Sequence, residues 1–137
     1  MNYWLIKSEP DNYSWDELVQ KGTDIWNGVR NFAARNHLRS MKKGDICFFY
    51  HSGNVSAVVG LAKVIKEAYP DPTANEGDWS AVDVKALKPV KRHVTLLEVK
   101  KEKSLADMAL VRISRLSVQP VTEFQFFRIL DMSDTKL

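Results

Sequence analysis

The chain has 137 residues, with 20 Lys plus Arg against 17 Asp plus Glu and a formal net charge of +3. A 45% hydrophobic and 27% charged composition excludes wholesale disorder, and the length fits one domain over residues 1–137 with a core of its own. The single cysteine, Cys47, excludes an internal disulfide and a cysteine zinc cluster; that usage suits a reducing cytoplasm, the expected location.

From the N-terminus, YWLIK (3–7) is aromatic and β-branched and predicts a strand. MNYWLIKSEP lacks the layout of a signal peptide, and no run reaches the about 18 apolar residues of a membrane span. Pro10 forces Glu9 out of helical geometry, so Ser8 and Glu9 end the strand. Ser14 with Glu17 is a capping box and Gly22 a stop, which together predict a short helix. Asn31 is an N-cap for a helix to about Lys42, with Ala34, Leu38 and Met41 on one face and Arg35, Arg39 and Lys42 on another.

ICFFYH (46–51) is apolar on both faces and predicts a central strand. AVVGLAKVIKEAY (57–69) predicts a long bent strand with Gly60 as its bulge. A loop follows over Tyr69–Asp78, and AVDVKAL (81–87) predicts another strand. Thr95 with Glu98, Ser104 with Asp107 and Thr122 with Gln125 repeat the capping spacing and predict three more short helices. ALVRI (109–113) fits either state, and RLSVQPV (115–121) predicts a strand. Strands mingled with short helices, without strict alternation, give an α+β domain with a curved sheet or small barrel.

Charge is uneven along the chain. Arg30, Arg35, Arg39, Lys42 and Lys43 follow one another without an acidic residue, Lys85–Lys103 is basic, and Glu67–Asp83 is purely acidic. In WNGVRNFAARN (26–36), Trp26 is either a core anchor or a flat face for a planar ligand. Asn31 is either a cap or, with Arg30, part of an anion seat at a helix start. Glu9 pairs with an arginine or accepts from the exocyclic amine of a base. Tyr50 and His51 alternate, so only one of them lines a given pocket. No nucleophile elbow, metal-ligand spacing or glycine-rich phosphate loop occurs, so neither a metal nor a cofactor is expected.

The strings YWLIKSEPDNYSWDEL, WNGVRNFAARNHLRSMKKGDICFFYHS, VVGLAKVIKEAYPDPT and LADMALVRISRLSVQPVT together resemble the EVE domain family, as a stand-alone bacterial member would. The resemblance implies a PUA-like fold, a curved pseudo-β-barrel of about five to six mostly antiparallel strands with several short helices. It also implies a non-catalytic module that reads a flipped modified base, either modified cytosine in DNA or a modified RNA base. By resemblance, Lys7, Ser8, Glu9, Trp26, Val29, Arg30, Asn31, Tyr50, His51, Ser52, Leu116, Ser117 and Val118 line the pocket. Phosphate contacts fall to Arg30, Arg35, Arg39 and Lys42. The chain departs from the family at YPDPTANEGDW (69–79), which is shorter than usual. Two other classes stand beside this one: an enzyme acting on a nucleotide-like small molecule, with Glu9, His51 or Lys7 in acid–base roles, and a protein-interaction adaptor using the basic face.

Overall fold

A computed structural model describes residues 1–137. Strand β3 (Ile46–His51) is buried on both faces, as its unbroken apolar run requires, and organises the rest. It pairs in parallel with β1 (Tyr3–Ser8) and antiparallel with β4 (Ala57–Pro70). Beyond β4 lies β5 (Ser80–Thr95), then β2 (Thr23–Trp26) at one edge; β6 (Val118–Val121) flanks β1 at the other. The six strands run in the order β2-β5-β4-β3-β1-β6, and the two edges are not bonded to each other, so the mixed sheet stays open.

Alternation along these strands feeds two cores. Trp4, Ile6, Cys47 and Phe49 face one side, where α1 (Trp15–Lys21) and α2 (Phe32–Ser40) cover them with Trp15, Leu18, Ala34 and Leu38. Leu5, Ile46, Phe48 and Tyr50 face the other, covered by α3 (Leu96–Lys101) through Val99 and by α5 (Glu123–Met132) through Phe126, Ile129 and Leu130. No helix is long and apolar enough to cross a membrane.

The β4 register slips at Gly60, which faces Phe49 while Val58 faces Tyr50, so Val59 is the extra residue. Glycine is required there by packing: a Cβ on Gly60 would lie 2.6 Å from the Trp15 ring. Further slips between β4 and β5, at Leu61/Ala62, Val64/Lys66 and Lys66/Tyr69, bend the pair. The capping boxes at Ser14, Thr95 and Thr122 all form, each cap contributing about 1 kcal/mol.

Some expectations change, and the reading left open at 109–113 is resolved. The α2 helix stops at Ser40, leaving Met41 as its buried C-cap. Ser104 starts no helix of its own, because the Glu102 carboxylate takes its N–H and hydroxyl and caps a single 3-10 turn, Lys103–Leu105. Residues Ala109–Arg112 form a short helix, α4. Strand β5 runs to Thr95 rather than Leu87, since pairing with β4 and burial of Val90 and Val94 outweigh its exposed lysines. Edge strand β2, short and half polar, gave no alternation to read.

Candidate nucleic-acid interface

The ends of β1 and β3 and the start of β6 open onto a cleft of ≈ 980 Å³. Its floor comes from the strand ends: Lys7, Ser8, Glu9, Tyr50, Ser52 and Ser117. One wall is the β2 strand and the turn after it, including Asp24, Trp26, Gly28, Val29 and Arg30, with Asn12, Tyr13 and Lys21 beside them. The opposite wall is Leu96 and Lys100 of α3 with Leu110, Val111, Ser114 and Arg115.

Hydrogen bonds fix the floor. The Ser8 hydroxyl donates to the Tyr13 carbonyl at 2.6 Å, and the Ser52 N–H donates to the Ser8 carbonyl at 3.0 Å. The Lys7 ammonium donates to the Ser114 carbonyl at 2.9 Å and lies 5.7 Å from the Tyr50 ring centroid. Burial lowers the Lys7 pKa and raises that of Tyr50. Glu9 is exposed, and its carboxylate has only a long 3.4 Å bond, from the Asn12 amide.

On the first wall, the Tyr13 hydroxyl donates to Asp24 at 2.5 Å, and Asp24 also accepts from the Ile25 N–H and Lys21. Burial pushes the Asp24 carboxyl up, but these bonds outweigh it and hold the pKa below the ordinary value. Trp26 lines the cleft with little of its ring, being 7% exposed. Phe49 and Tyr13 meet it edge-on, at 5.4 and 6.1 Å between centroids. Tyr13, half-buried, is the least covered aromatic of the lining, since Tyr50 is 2% exposed. The flat face is therefore Tyr13's more than Trp26's, and Trp26 acts chiefly as the core anchor.

Arg30 reaches the cleft from a clamp. Its guanidinium donates at 3.0 Å to Asp71, whose side chain is fully buried, and Asp71 also accepts from the Gly28 N–H at 2.8 Å. Thr73 adds its N–H at 2.7 Å and its hydroxyl at 2.6 Å. Burial would raise the Asp71 pKa, but the Thr73, Gly28 and Arg30 bonds together bring it down to about 2. The chain's own carboxylate thus takes up the Arg30 guanidinium that was expected to join Asn31 in an anion seat at the helix start.

Several expected site residues sit elsewhere. His51 points away from Tyr50 and does not line the cleft: its Nε2 accepts the Trp15 N–H at 3.0 Å, at the start of α1. Asn31 caps α2 through the Ala34 N–H at 2.9 Å and is also outside the lining. Leu116 and Val118 are buried in the core beneath it. The basic face of α2 is turned to the acidic loop instead of open solvent. Arg39 pairs with Asp78 at 2.6 Å and donates to the Ser80 hydroxyl at 2.9 Å, and Arg35 donates to the Asp78 carbonyl at 3.1 Å. Phe32 stacks on Trp79 beneath Arg35. Lys42 is exposed but outside the cleft.

Tyr13, Lys21, Asp24, Lys100 and Arg115 also line the cleft, although none was among the expected site residues. The basic run Lys85–Lys103 was a local signal for Lys100 alone, since Arg115 lies beyond it. The cleft brings together Lys7, Lys21, Arg30, Lys100 and Arg115 with only Glu9 and Asp24 as carboxylates. A polar floor between partly apolar walls, with five cations against two carboxylates, suits a planar, anionic ligand such as a nucleotide.

Residues 2–132 match the EVE domain. Thymocyte nuclear protein 1 of Mus musculus is 40% identical over 169 aligned positions, covering 98% of this chain and 75% of that protein. The alignment is longer than the chain, so the mouse protein carries insertions relative to it. A crystal structure of a protein from Agrobacterium tumefaciens superposes with a TM-score of 0.96 at 43% identity, covering 98% of this chain and 94% of that one. The crystal structure of human THYN1 protein in complex with 5-methylcytosine containing DNA superposes with a TM-score of 0.91 at 34% identity, covering 100% of both chains.

Proposed function

The chain belongs to the EVE domain family, and from that premise we propose that it is a nucleic-acid-binding module without catalytic activity, reading a modified base in the cleft. The class we favour is 5-methylcytosine in DNA. The observation that carries this is the full-length superposition on a human relative crystallised with DNA containing that base.

A base seated in the cleft must leave its stack, which costs a few kcal/mol in a duplex and less in a single strand. Stacking on an aromatic returns about 1–3 kcal/mol per base, and Tyr13 is the ring placed to supply it. Glu9, exposed at the floor with one long bond, is free to accept from the exocyclic amine of cytosine. Thymine presents a carbonyl oxygen where cytosine has its amine and would set a second acceptor against the carboxylate, which gives discrimination by base type. Discrimination by methylation is a separate and smaller effect, since burying one methyl is worth roughly 0.8 kcal/mol, about fourfold. Lys7, Ser52 and Ser117 complete the polar floor, and Val29 and Trp26 the apolar wall.

The test is a titration, followed by intrinsic fluorescence, of DNA strands carrying 5-methylcytosine, cytosine or thymine at one position. An RNA strand and a free modified nucleoside serve as further arms. Tighter binding of the 5-methylcytosine strand, with the cytosine-over-thymine preference lost in Glu9→Ala, is the expected result. Equal affinity for every strand rejects modified-base reading. Tighter binding of the RNA, or of the nucleoside alone, moves the substrate class.

A further inference from the structure

Resting on that reading of the cleft, we infer that Lys100 and Arg115, on the wall opposite Arg30, form its phosphodiester-binding rim. The cations around the cleft differ in how much of their charge is already answered. Arg30 is paired with the buried carboxylate of Asp71 and Lys21 with Asp24. Lys7 is held by the Ser114 carbonyl. Lys100 and Arg115 are exposed and have neither an ion pair nor a side-chain hydrogen bond to any protein group. Outside the cleft, Arg39 is ion-paired with Asp78 and the Arg35 guanidinium is held by the Asp78 carbonyl and Asn36, so both side chains are tied down away from the cleft.

Placement favours the same two residues. Leu96 and Lys100 stand one turn apart on α3 and share the face that lines the cleft. Lys100 lies in the last turn of its helix, where the axial dipole favours a cation. Arg115 follows α4, next to Ser114, whose carbonyl orients Lys7. The apolar groups Leu96, Leu110 and Val111 line the cleft together with these two cations, so a strand whose base enters the cleft can lay its backbone along their rim. Phosphate contacts of this kind set register and affinity without reading sequence.

The test compares Lys100→Gln/Arg115→Gln with Lys101→Gln/Lys103→Gln. The second pair removes the same charge at exposed positions in the same segment that do not line the cleft. Each variant is titrated with a duplex carrying 5-methylcytosine across a salt series, after its thermal unfolding has been matched to the parent. Two lost phosphate contacts weaken binding about 30-fold at 0.15 M salt and make the log–log salt slope shallower by about 1.8. The control pair is expected to shift the slope by less than half of that. The 5-methylcytosine preference is expected to survive in both, because the rim does not touch the base. Equal losses in the two pairs, or a wild-type slope in the first, overturn the rim while leaving the reading of the cleft standing. A parent protein that binds the duplex without preferring the modified base sinks the base reading alone, and one that binds no nucleic acid sinks both.

Discussion

Asp71 and Arg30 stand 41 residues apart in the chain and meet at 3.0 Å, with the carboxylate fully buried and the guanidinium partly open to solvent. The pair ties the loop that precedes β5 to the turn that follows β2. That turn is the cleft wall holding Gly28, Val29 and Arg30. The 69–79 segment is therefore the fastening of a wall.

Asp71→Asn keeps the shape and removes the charge. It is expected to destabilise the fold by about 1–3 kcal/mol, the cost of weakening a buried, multiply bonded acceptor, with the Arg30 share reduced by solvent screening. The folded carboxyl titrates near 2, below its unfolded value of 3.8. Its contribution is therefore complete above about pH 4 and lost as pH falls toward 2. Urea midpoints measured from pH 6 to pH 2 are expected to fall more steeply in the parent than in Asp71→Asn across that window. Parallel profiles would show that Asp71 is not a main source of acid lability.

Gly60→Ala places a methyl 2.6 Å from the Trp15 ring, at the bulge where β4 changes register. Overpacking of this kind costs about 1–3 kcal/mol. A lower urea midpoint with an unchanged m-value is the expected signature. In a double-mutant cycle, Trp15→Leu is expected to make the alanine less costly, since it clears the space the methyl needs. A cycle with no coupling would place the strain in the backbone instead.

Local grammar carried most of the fold. Ser14, Thr95 and Thr122 each cap their helices through a partner three residues on, so those starts could be read from four consecutive letters. The two-faced strand at Ile46–His51 announced itself because burial on both sides leaves no polar alternation. What the sequence hid was the partner of each charge. Spacing put Arg35 and Arg39 on one face of α2, but their acceptor, Asp78, lies about forty residues downstream and is brought there by β4 and β5. The same limit applies to Tyr50 and His51: alternation separated them, but the docking of α1 decided which one met the cleft.

His51 supplies a pH-dependent contact away from the cleft. Its Nε2 accepts the Trp15 N–H, which requires the neutral ring. Burial lowers its pKa, the charge of His93 adds to this, and Asp16 acts the other way. With the folded value below the unfolded one, the contribution is complete above about pH 6.5 and is lost as pH falls. His51→Gln retains an acceptor without titrating. It is expected to reduce the drop in thermal midpoint between pH 7.5 and 5.5 by about 3 °C, the equivalent of one hydrogen bond. His37, held down by burial, keeps part of the slope in that variant. An unchanged slope would remove His51 as its source.

Among the aromatics of the cleft, framework and ligand contact fall on different rings. Trp26 is packed edge-on by Phe49 and Tyr13, with 7% of its surface exposed. Trp26→Ala is expected to cost about 3–5 kcal/mol of stability, so lost binding in that variant would report unfolding rather than lost stacking. Trp26→Phe keeps an aromatic ring against Phe49 and is expected to lower the urea midpoint while holding the affinity for a 5-methylcytosine strand within about threefold. Tyr13→Ala removes the more open ring and is expected to weaken that affinity about 5- to 150-fold, the equivalent of 1–3 kcal/mol of stacking. Tyr13→Phe, which gives up only the bond to Asp24, is expected to keep most of the affinity. The reverse order, with Trp26→Phe losing the ligand and Tyr13→Ala holding it, would place the stacking face on Trp26.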